Sequence, residues 1–391
     1  MTIVSSGVSI GAGITFTSEP FYTFTTFTFQ TGNITGSAGP TAAQLFGNTY
    51  SNVGNTWLAN SNYFTINNGI QYWMVPFTGN YQITVAGAKA GLVGGGTSFY
   101  SAPYYGSGLG AIVRGTVQLI QGQTLAIVAG QTNPASAVNG VFSSQGGAGG
   151  SFVVALNTNT TNITSVNPNG VIPIMIAGGG GGAGWYNQSG VEYAVGGNAV
   201  TTTSGGYSFN LGYNGNGAPG GTNGQGGVST VNGNGLNTTS GYSGGAGGGL
   251  YSTGYNGVNG SSTRSTAGSG NFGGGGAGLL QGATGGQVNP GYAPYSTSGA
   301  FGGGGGGGAI EGGGGGGYSG GGGSFSNVNR ADAGGGGGSY IIPTAANVAT
   351  SDGNYNGTNV FANGSTITKI GTTGNTAYNI GAGYVTITKV A

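Results

Sequence analysis

Of the 391 residues, 98 are glycine, roughly a quarter where ~7 % is usual. Six are Lys or Arg and five are Asp or Glu, for a net charge of +1, and neither Cys nor His occurs. A His- or Cys-ligated metal, disulfides, thiol nucleophiles and His-based triads are therefore excluded. Six scattered cations give no electrostatic footprint for nucleic acid. No apolar run reaches ~18 residues and no basic stretch precedes an apolar one, which argues against membrane insertion and a secretion signal. The composition points away from an enzyme and implies no cofactor and no metal.

Residues 1–35 read as β: Val8, Ile10, Ile14 and Phe16 alternate, and Phe21 to Phe29 is dense in aromatic and β-branched residues. A turn-rich stretch with GPTAAQ at 39–44 precedes the apolar run GIQYWMVP at 69–76. Tyr81, Ile83 and Val85 alternate behind Thr78-Gly79-Asn80, the pattern of a hairpin. Strands are expected over Ile112–Ile120 and Leu125–Ala129, flanking Gln121-Gly122-Gln123, and over Phe152–Leu156 and Val171–Ala177. From Gly178 to Gly338 the pattern changes to glycine runs separated by Asn, Ser, Thr and Tyr. Strand patterns resume at Tyr340-Ile341-Ile342, Thr366–Ile370 and 383–390. The reading is an all-β antiparallel sandwich with a long glycine insertion. Its parts are an N-terminal β segment for attachment (1–35), a first part (36–177), the insertion (178–338) and completing strands (339–391). Trp57, Trp73 and the Phe21–Phe29 group are expected in its core.

A run of glycines disfavours an α-helix and cannot set a strand register. With 11 Pro and no Gly-X-Y period, collagen is excluded. What remains is the extended left-handed threefold helix, which makes no internal hydrogen bonds and must bond laterally to its neighbours. Packing that close leaves no room for a Cβ. The seven glycines at 302–308 would span roughly 22 Å in that form. Gly212, Gly215, Gly221, Gly224 and Gly227 keep one threefold frame, with Ala218 in the gap. The insertion has almost no apolar residues of its own, so the sandwich is expected to anchor its ends.

Among the carboxylates, Glu311 lies between two glycine runs and Asp332 two residues after Arg330. An acid pair is one reading; a loop ion pair or a cap on exposed N–H groups is the other. Trp185, Tyr186, Tyr193, Tyr207, Tyr213, Tyr242, Tyr251, Tyr255, Tyr292 and Tyr295 stand between glycine segments. Aromatic rings with polar handles suit recognition surfaces and sugar stacking; the plainer reading is that they cap or flank the glycine helices and shield their edges.

Several motifs occur in one order: GPTAAQ (39–44), GIQYWMVP (69–76), QGQTLAIVAGQ (121–131), PIMIAGGGGGA (173–183), LLQGATGG (279–286), AFGGGGGGGAIEGGGGGGYSGG (300–321), SYIIP (339–343) and GAGYVTI (381–387). In these the chain resembles the glycine-rich ectodomain region of the anaplastic lymphoma kinase and leukocyte tyrosine kinase receptors. The resemblance implies a tumour-necrosis-factor-like β-sandwich (jelly roll) carrying an inserted bundle of polyglycine type II helices. With no Cys, no membrane span and no kinase, receptor signalling does not carry over. Similar glycine-rich modules occur in bacteriophage and giant-virus structural proteins and in phage tail-tip adhesins. The expectation is a virion-surface fibre or tail-tip adhesin. Its partners would be other virion proteins or copies of itself, a homotrimer by analogy, and a host-surface glycan or protein. Trp185, Tyr186, Tyr193, Tyr207, Tyr213, Tyr251, Tyr255, Tyr292 and Tyr295 would face the receptor. The alternatives are a purely structural capsid or fibre component and a cellular extracellular recognition module.

Overall fold

The computed structural model describes residues 20–51, 53–92, 106, 108–136, 142–186, 192–209, 217–229, 242–257, 272–288, 295–326, 331–351 and 378–390. In chain order its first strands are β1 (Thr26–Phe29), β2 (Phe64–Asn67), β3 (Ile70–Met74), β4 (Gly79–Ala86), β5 (Ile112–Leu119), β6 (Thr124–Val128), β7 (Phe142–Ser144) and β8 (Ser151–Leu156). There follow β9 (Val171–Ala177), β10 (Gly184–Tyr186), β11 (Glu192–Ala194), β12 (Tyr242–Ser243), β13 (Phe325–Ser326), β14 (Tyr340–Ile341), β15 (Ala346–Ser351) and β16 (Tyr384–Lys389). A sheet in the order β1-β16-β4-β5-β15 faces one in the order β14-β9-β8-β6-β3-β2, every pairing antiparallel. The chain is all-β in class, as its alternation predicts.

The core between the two sheets takes alternate residues from each strand, as the period of two requires. Phe27, Phe29, Val385, Ile387, Tyr81, Ile83 and Val85 meet Trp73, Leu125, Ile127, Val153 and Met175. Trp57, Trp73, Phe24, Phe27 and Phe29 are buried as expected, whereas Phe21 is 45 % exposed, Tyr22 half-buried and Thr23, Thr25 and Thr26 exposed. Residues 26–29 are the edge of a sheet, with Thr26 opposite Thr388 and Phe29 opposite Val385. Val8, Ile10, Ile14, Phe16 and the strand expected at Thr366–Ile370 lie outside the described residues.

The hairpin expected around Thr78-Gly79-Asn80 does not form. β3 pairs with β2 and β6, whereas β4 pairs with β5 and β16, so the link between β3 and β4 crosses from sheet to sheet. The turn containing Gly122 (φ +81°) makes the same kind of crossing from β5 to β6. Crossing points Trp73 and Tyr81 into one core, with ring centroids 6.1 Å apart. A hairpin would bring these strands side by side in one sheet.

Beyond one end of the two sheets the strands pass directly into glycine segments. Residues 145–150 lead into β8, 178–183 leave β9, and 333–338 approach β14. Residues 244–249 and 312–317 lie alongside them, and all five segments are six residues long. The rule of their packing shows in 312–317. The N–H groups of Gly312, Gly315 and Tyr318 donate to the carbonyls of Asp332, Gly335 and Gly338. Those of Gly313 and Gly316 donate to Gln145 and Ala148, and those of Gly314 and Gly317 to Gly245 and Gly248. A step of three along the donor is a step of three along each acceptor. The segment's carbonyls serve three more neighbours: Gly313 and Gly316 accept from Gly182 and Gly179, Gly312 and Gly315 from Ser324 and Gly321, and Gly314 from Gly305. Six segments surround it, and none of residues 312–317 has positive φ. A Cβ on Gly315 would stand 2.1 Å from the Gly179 oxygen, and one on Gly334 2.0 Å from that of Gly313. Only glycine permits this spacing.

Two details differ from the sequence reading. Gly302 and Gly303 take φ of +104° and +86° and turn the chain back, since Gly304 donates to Ala300 and Gly307 to Thr297. The extended part of that run is therefore 304–308 rather than all seven residues. The frame through Gly221, Gly224 and Gly227 is broken by a turn at Asn223 and Gly224 (φ +52° and +78°), closed by the Gln225 N–H on Thr222. Gly212 and Gly215 lie outside the described residues. The hydrogen-bonded lattice also reaches beyond 178–338, because Ala88, Gly108, Gln131 and residues 145–150 belong to it.

The insertion holds the outer face of the six-stranded sheet through side chains as well. Leu250, Leu279, Leu280, Ala283 and Phe301 form one buried cluster with Ile70, Tyr72, Phe152, Val154 and Ile176. β3 and β8 are thus buried on both faces, which accounts for the apolar run Phe152–Leu156 of β8. β3 carries one polar residue, Gln71, whose amide donates to the Gln30 carbonyl and accepts from the Tyr50 hydroxyl.

Candidate functional site

At the far end of the glycine segments side chains return. β7, β10 and β11 form a three-stranded sheet and β12 pairs with β13. Single bridges join Ser144 to Ser296, Ser243 to Phe272, Phe209 to Ala333 and Glu311 to Asp332. These pairings cap the lattice where it ends, so the six-residue segments set one height for the cap. At ~3.3 Å per residue or less, that height is at most roughly 20 Å above the sheets.

The bridge puts the two carboxylates side by side, both with no exposed surface. The Asp332 carbonyl accepts from the Gly312 N–H at 3.0 Å, and the Glu311 carbonyl from Gly308 at 2.8 Å. Burial first, and the neighbouring charge of Asp332 second, hold the Glu311 carboxyl well above the usual carboxylate range. The Ser324 hydroxyl and the Asp332 backbone N–H favour its ionised form, but only as the weaker influences. Ile310 and Ala331 are buried beside the pair, with Tyr242 packed on them. Fully enclosed, the pair stands inside the cap, away from its surface. Arg330, the partner of an expected loop ion pair, lies outside the described residues.

The aromatic residues singled out in the sequence divide between three places. Trp185 is half-buried in the cap sheet, opposite Tyr193 on one side and Ser143 on the other. Tyr186 and Tyr193 are placed in the same sheet by their backbone pairing. The Tyr295 carbonyl accepts from the Ser144 N–H at 3.0 Å, fixing it at the cap, and Tyr242 starts β12 there. Tyr207, 69 % exposed, and Tyr255, 37 % exposed, stand on the flanks of the lattice. Tyr251 sits at the other end, against the cluster on the six-stranded sheet. Tyr213 and Tyr292 lie outside the described residues.

Sequence reasoning passed over Phe209, 47 % exposed and two residues from Tyr207. Its N–H donates to Ala333 at 2.8 Å, which holds it beside the cap. The signal was available: Tyr207-Ser208-Phe209 is an aromatic pair leaving a glycine segment. Val195, also 47 % exposed, follows β11. Contiguous exposed apolar groups mark interaction surfaces more often than isolated ones do.

Among the described residues no helix is long and apolar enough to cross a membrane. No group of three or more Asp, Glu, His or Cys is placed there to hold a metal ion. Neither a family model nor a curated protein matches the chain.

Proposed function

We propose that the chain is a non-enzymatic virion surface protein, a fibre or tail-tip adhesin that displays aromatic-bearing loops toward a host. In this reading the packed sheets are a tumour-necrosis-factor-like jelly roll and the glycine segments are polyglycine type II helices. One observation carries the proposal: segments of equal length, hydrogen-bonded on a three-residue period, lift a side-chain-bearing cap off the sheets. A lattice without room for side chains is costly in backbone entropy. Its use is as a rigid pedestal, and rigidity in a display scaffold reduces the ordering cost of binding. Phe209, exposed beside the cap, Tyr207, exposed on the adjoining flank, and Trp185 within the cap supply the contact chemistry. Partners on the particle are other virion proteins or further copies of the chain, and the host partner is a surface glycan or protein.

Two measurements on purified particles test this. Gold-labelled antibody against the chain should decorate the particle surface, and soluble chain should compete host adsorption. Substituting both Tyr207→Ala and Phe209→Ala should abolish the competition while leaving the unfolding midpoint unchanged. Label absent from particles contradicts the location. Label present with no competition leaves a passive structural component instead of an adhesin.

A further inference from the structure

The outer face of the six-stranded sheet carries aromatic and amide groups that the far cap does not use. Tyr318 and Tyr340 stack there with ring centroids 4.7 Å apart and planes 24° from parallel. With Tyr251 they pack, partly exposed, on the cluster that joins lattice to sheet. They come from three separate places: the end of 312–317, the start of β14, and the turn after 244–249. The Tyr318 hydroxyl titrates above its ordinary value because of burial first and the neighbouring Tyr251 and Tyr340 second, and the Tyr340 hydroxyl because of burial and then Tyr251. The exposed Gln281 amide donates to the Tyr251 carbonyl at 3.0 Å, placing that side chain at the rim.

On the same face the link between β8 and β9 folds over the sheet. Ile163 is buried in the joining cluster, and Val166 packs against it. Thr164 approaches within 3.8 Å of the position a Cβ would take on Gly282, next to Gln281. This link encloses a cleft of about 390 Å³ whose polar lining is Asn157, Thr158, Thr160, Ser165, Asn167 and Asn169. Amides and hydroxyls there offer donors and acceptors together, and no charged residue lines the cleft.

We propose that this face binds a neutral polysaccharide chain, its sugar rings laid on Tyr251, Tyr318 and Tyr340 and its hydroxyls reaching Gln281 and the Asn167–Asn169 cleft. Tyrosine rings offer an apolar plane to the C–H face of a sugar and a hydroxyl at its edge. Mixed amides and hydroxyls match alternating sugar hydroxyls, whereas an anionic glycan would call for Lys or Arg, which the lining lacks. The surface is at the opposite end of the lattice from the cap, so it stands or falls apart from the adhesin reading.

The test is saturation-transfer NMR on the full chain, titrated separately with cellohexaose and maltoheptaose. Transfer to one of these glucans is expected. Gln281→Ala and Asn169→Ala, at exposed positions where folding is retained, should weaken binding about three-fold each, and Tyr318→Ala about five- to ten-fold. Ile120→Ala, 62 % exposed just after β5 and outside both surfaces, should bind as the parent chain does. Absence of transfer to both glucans overturns the proposal. So does binding that is unchanged in both the Gln281→Ala and Asn169→Ala chains.

Discussion

Gly334 and Gly47 are indistinguishable as letters in the sequence, yet alanine at the two positions should act in opposite directions. At Gly334 the new Cβ would stand 2.0 Å from a backbone oxygen of Gly313, whose own segment is fixed on every side. Overpacking of that kind costs up to about 3 kcal/mol, and more where the neighbour is backbone. At Gly47 nothing lies within 4 Å of the Cβ position, and the φ is not positive. Alanine there should stabilise by about 0.4–1 kcal/mol through the unfolded chain. Urea unfolding of the two variants measures the contrast. Glu311 supplies a second residue-scale test. Its folded-state carboxyl titrates above its ordinary value of 4.5, so between those two pH values the folded chain holds a proton that the unfolded chain has released. Stability therefore falls as pH rises through that window and levels off above the folded value. Glu311→Gln should flatten this slope and leave the chain more stable than the parent at the alkaline end, as read from unfolding midpoints across pH. The sequence offered two carboxylates and two readings of them. It could not show that they meet, because the bridge depends on two distant glycine segments lying in register.

At the scale of elements, strands with strong alternation or long apolar runs were legible, and weak edges were not. β4, β6, β8, β9 and β16 coincide with patterns visible in the chain. β2 was missed because, of its four residues, only Phe64 is fully buried. β15 was missed because Asn347 takes φ +51° and the register shifts between Ala346 and Ala349, which destroys the alternation. Pairing was less legible than existence: a short turn can close a hairpin or cross between sheets, and the choice is made by where the apolar faces meet. The joining cluster was missed for a related reason. Phe301, Leu279 and Leu280 are scattered among glycines and gather only when the lattice aligns their turns. Phe301 has no exposed surface, and its ring ties the insertion to the six-stranded sheet. Phe301→Ala should cost about 3–5 kcal/mol. It should also speed amide exchange in residues 145–150 and 299–305 more than in β4 and β5, as local exchange mapping would report.

For the whole molecule, two kinds of order are joined end to end. The sheets are held by an interleaved apolar core and the glycine region by lateral backbone bonds on a three-residue period, with one apolar cluster between them. The requirement that ordered glycine must pair its backbone groups was readable from composition. The period itself was not readable where expected: the frame at 221–227 is broken by a turn, while the real period lies in the donors of pure glycine runs, whose letters carry no phase. Aromatic residues were recognisable as candidates, but their assignment to cap, flank or sheet face needed the path of the chain. Tyr251 at the sheet and Trp185 at the cap show how far apart similar sequence contexts can fall.

The glycine region is a fixed, hydrogen-bonded lattice. Every N–H from Gly312 to Gly317 has a carbonyl partner in a neighbouring segment. Native-state hydrogen exchange resolved to residues 312–317 tests it directly. Protection comparable to that of β4 and β5 is the result predicted. Exchange at the rate of an unstructured glycine peptide, with β4 and β5 still protected, would contradict it.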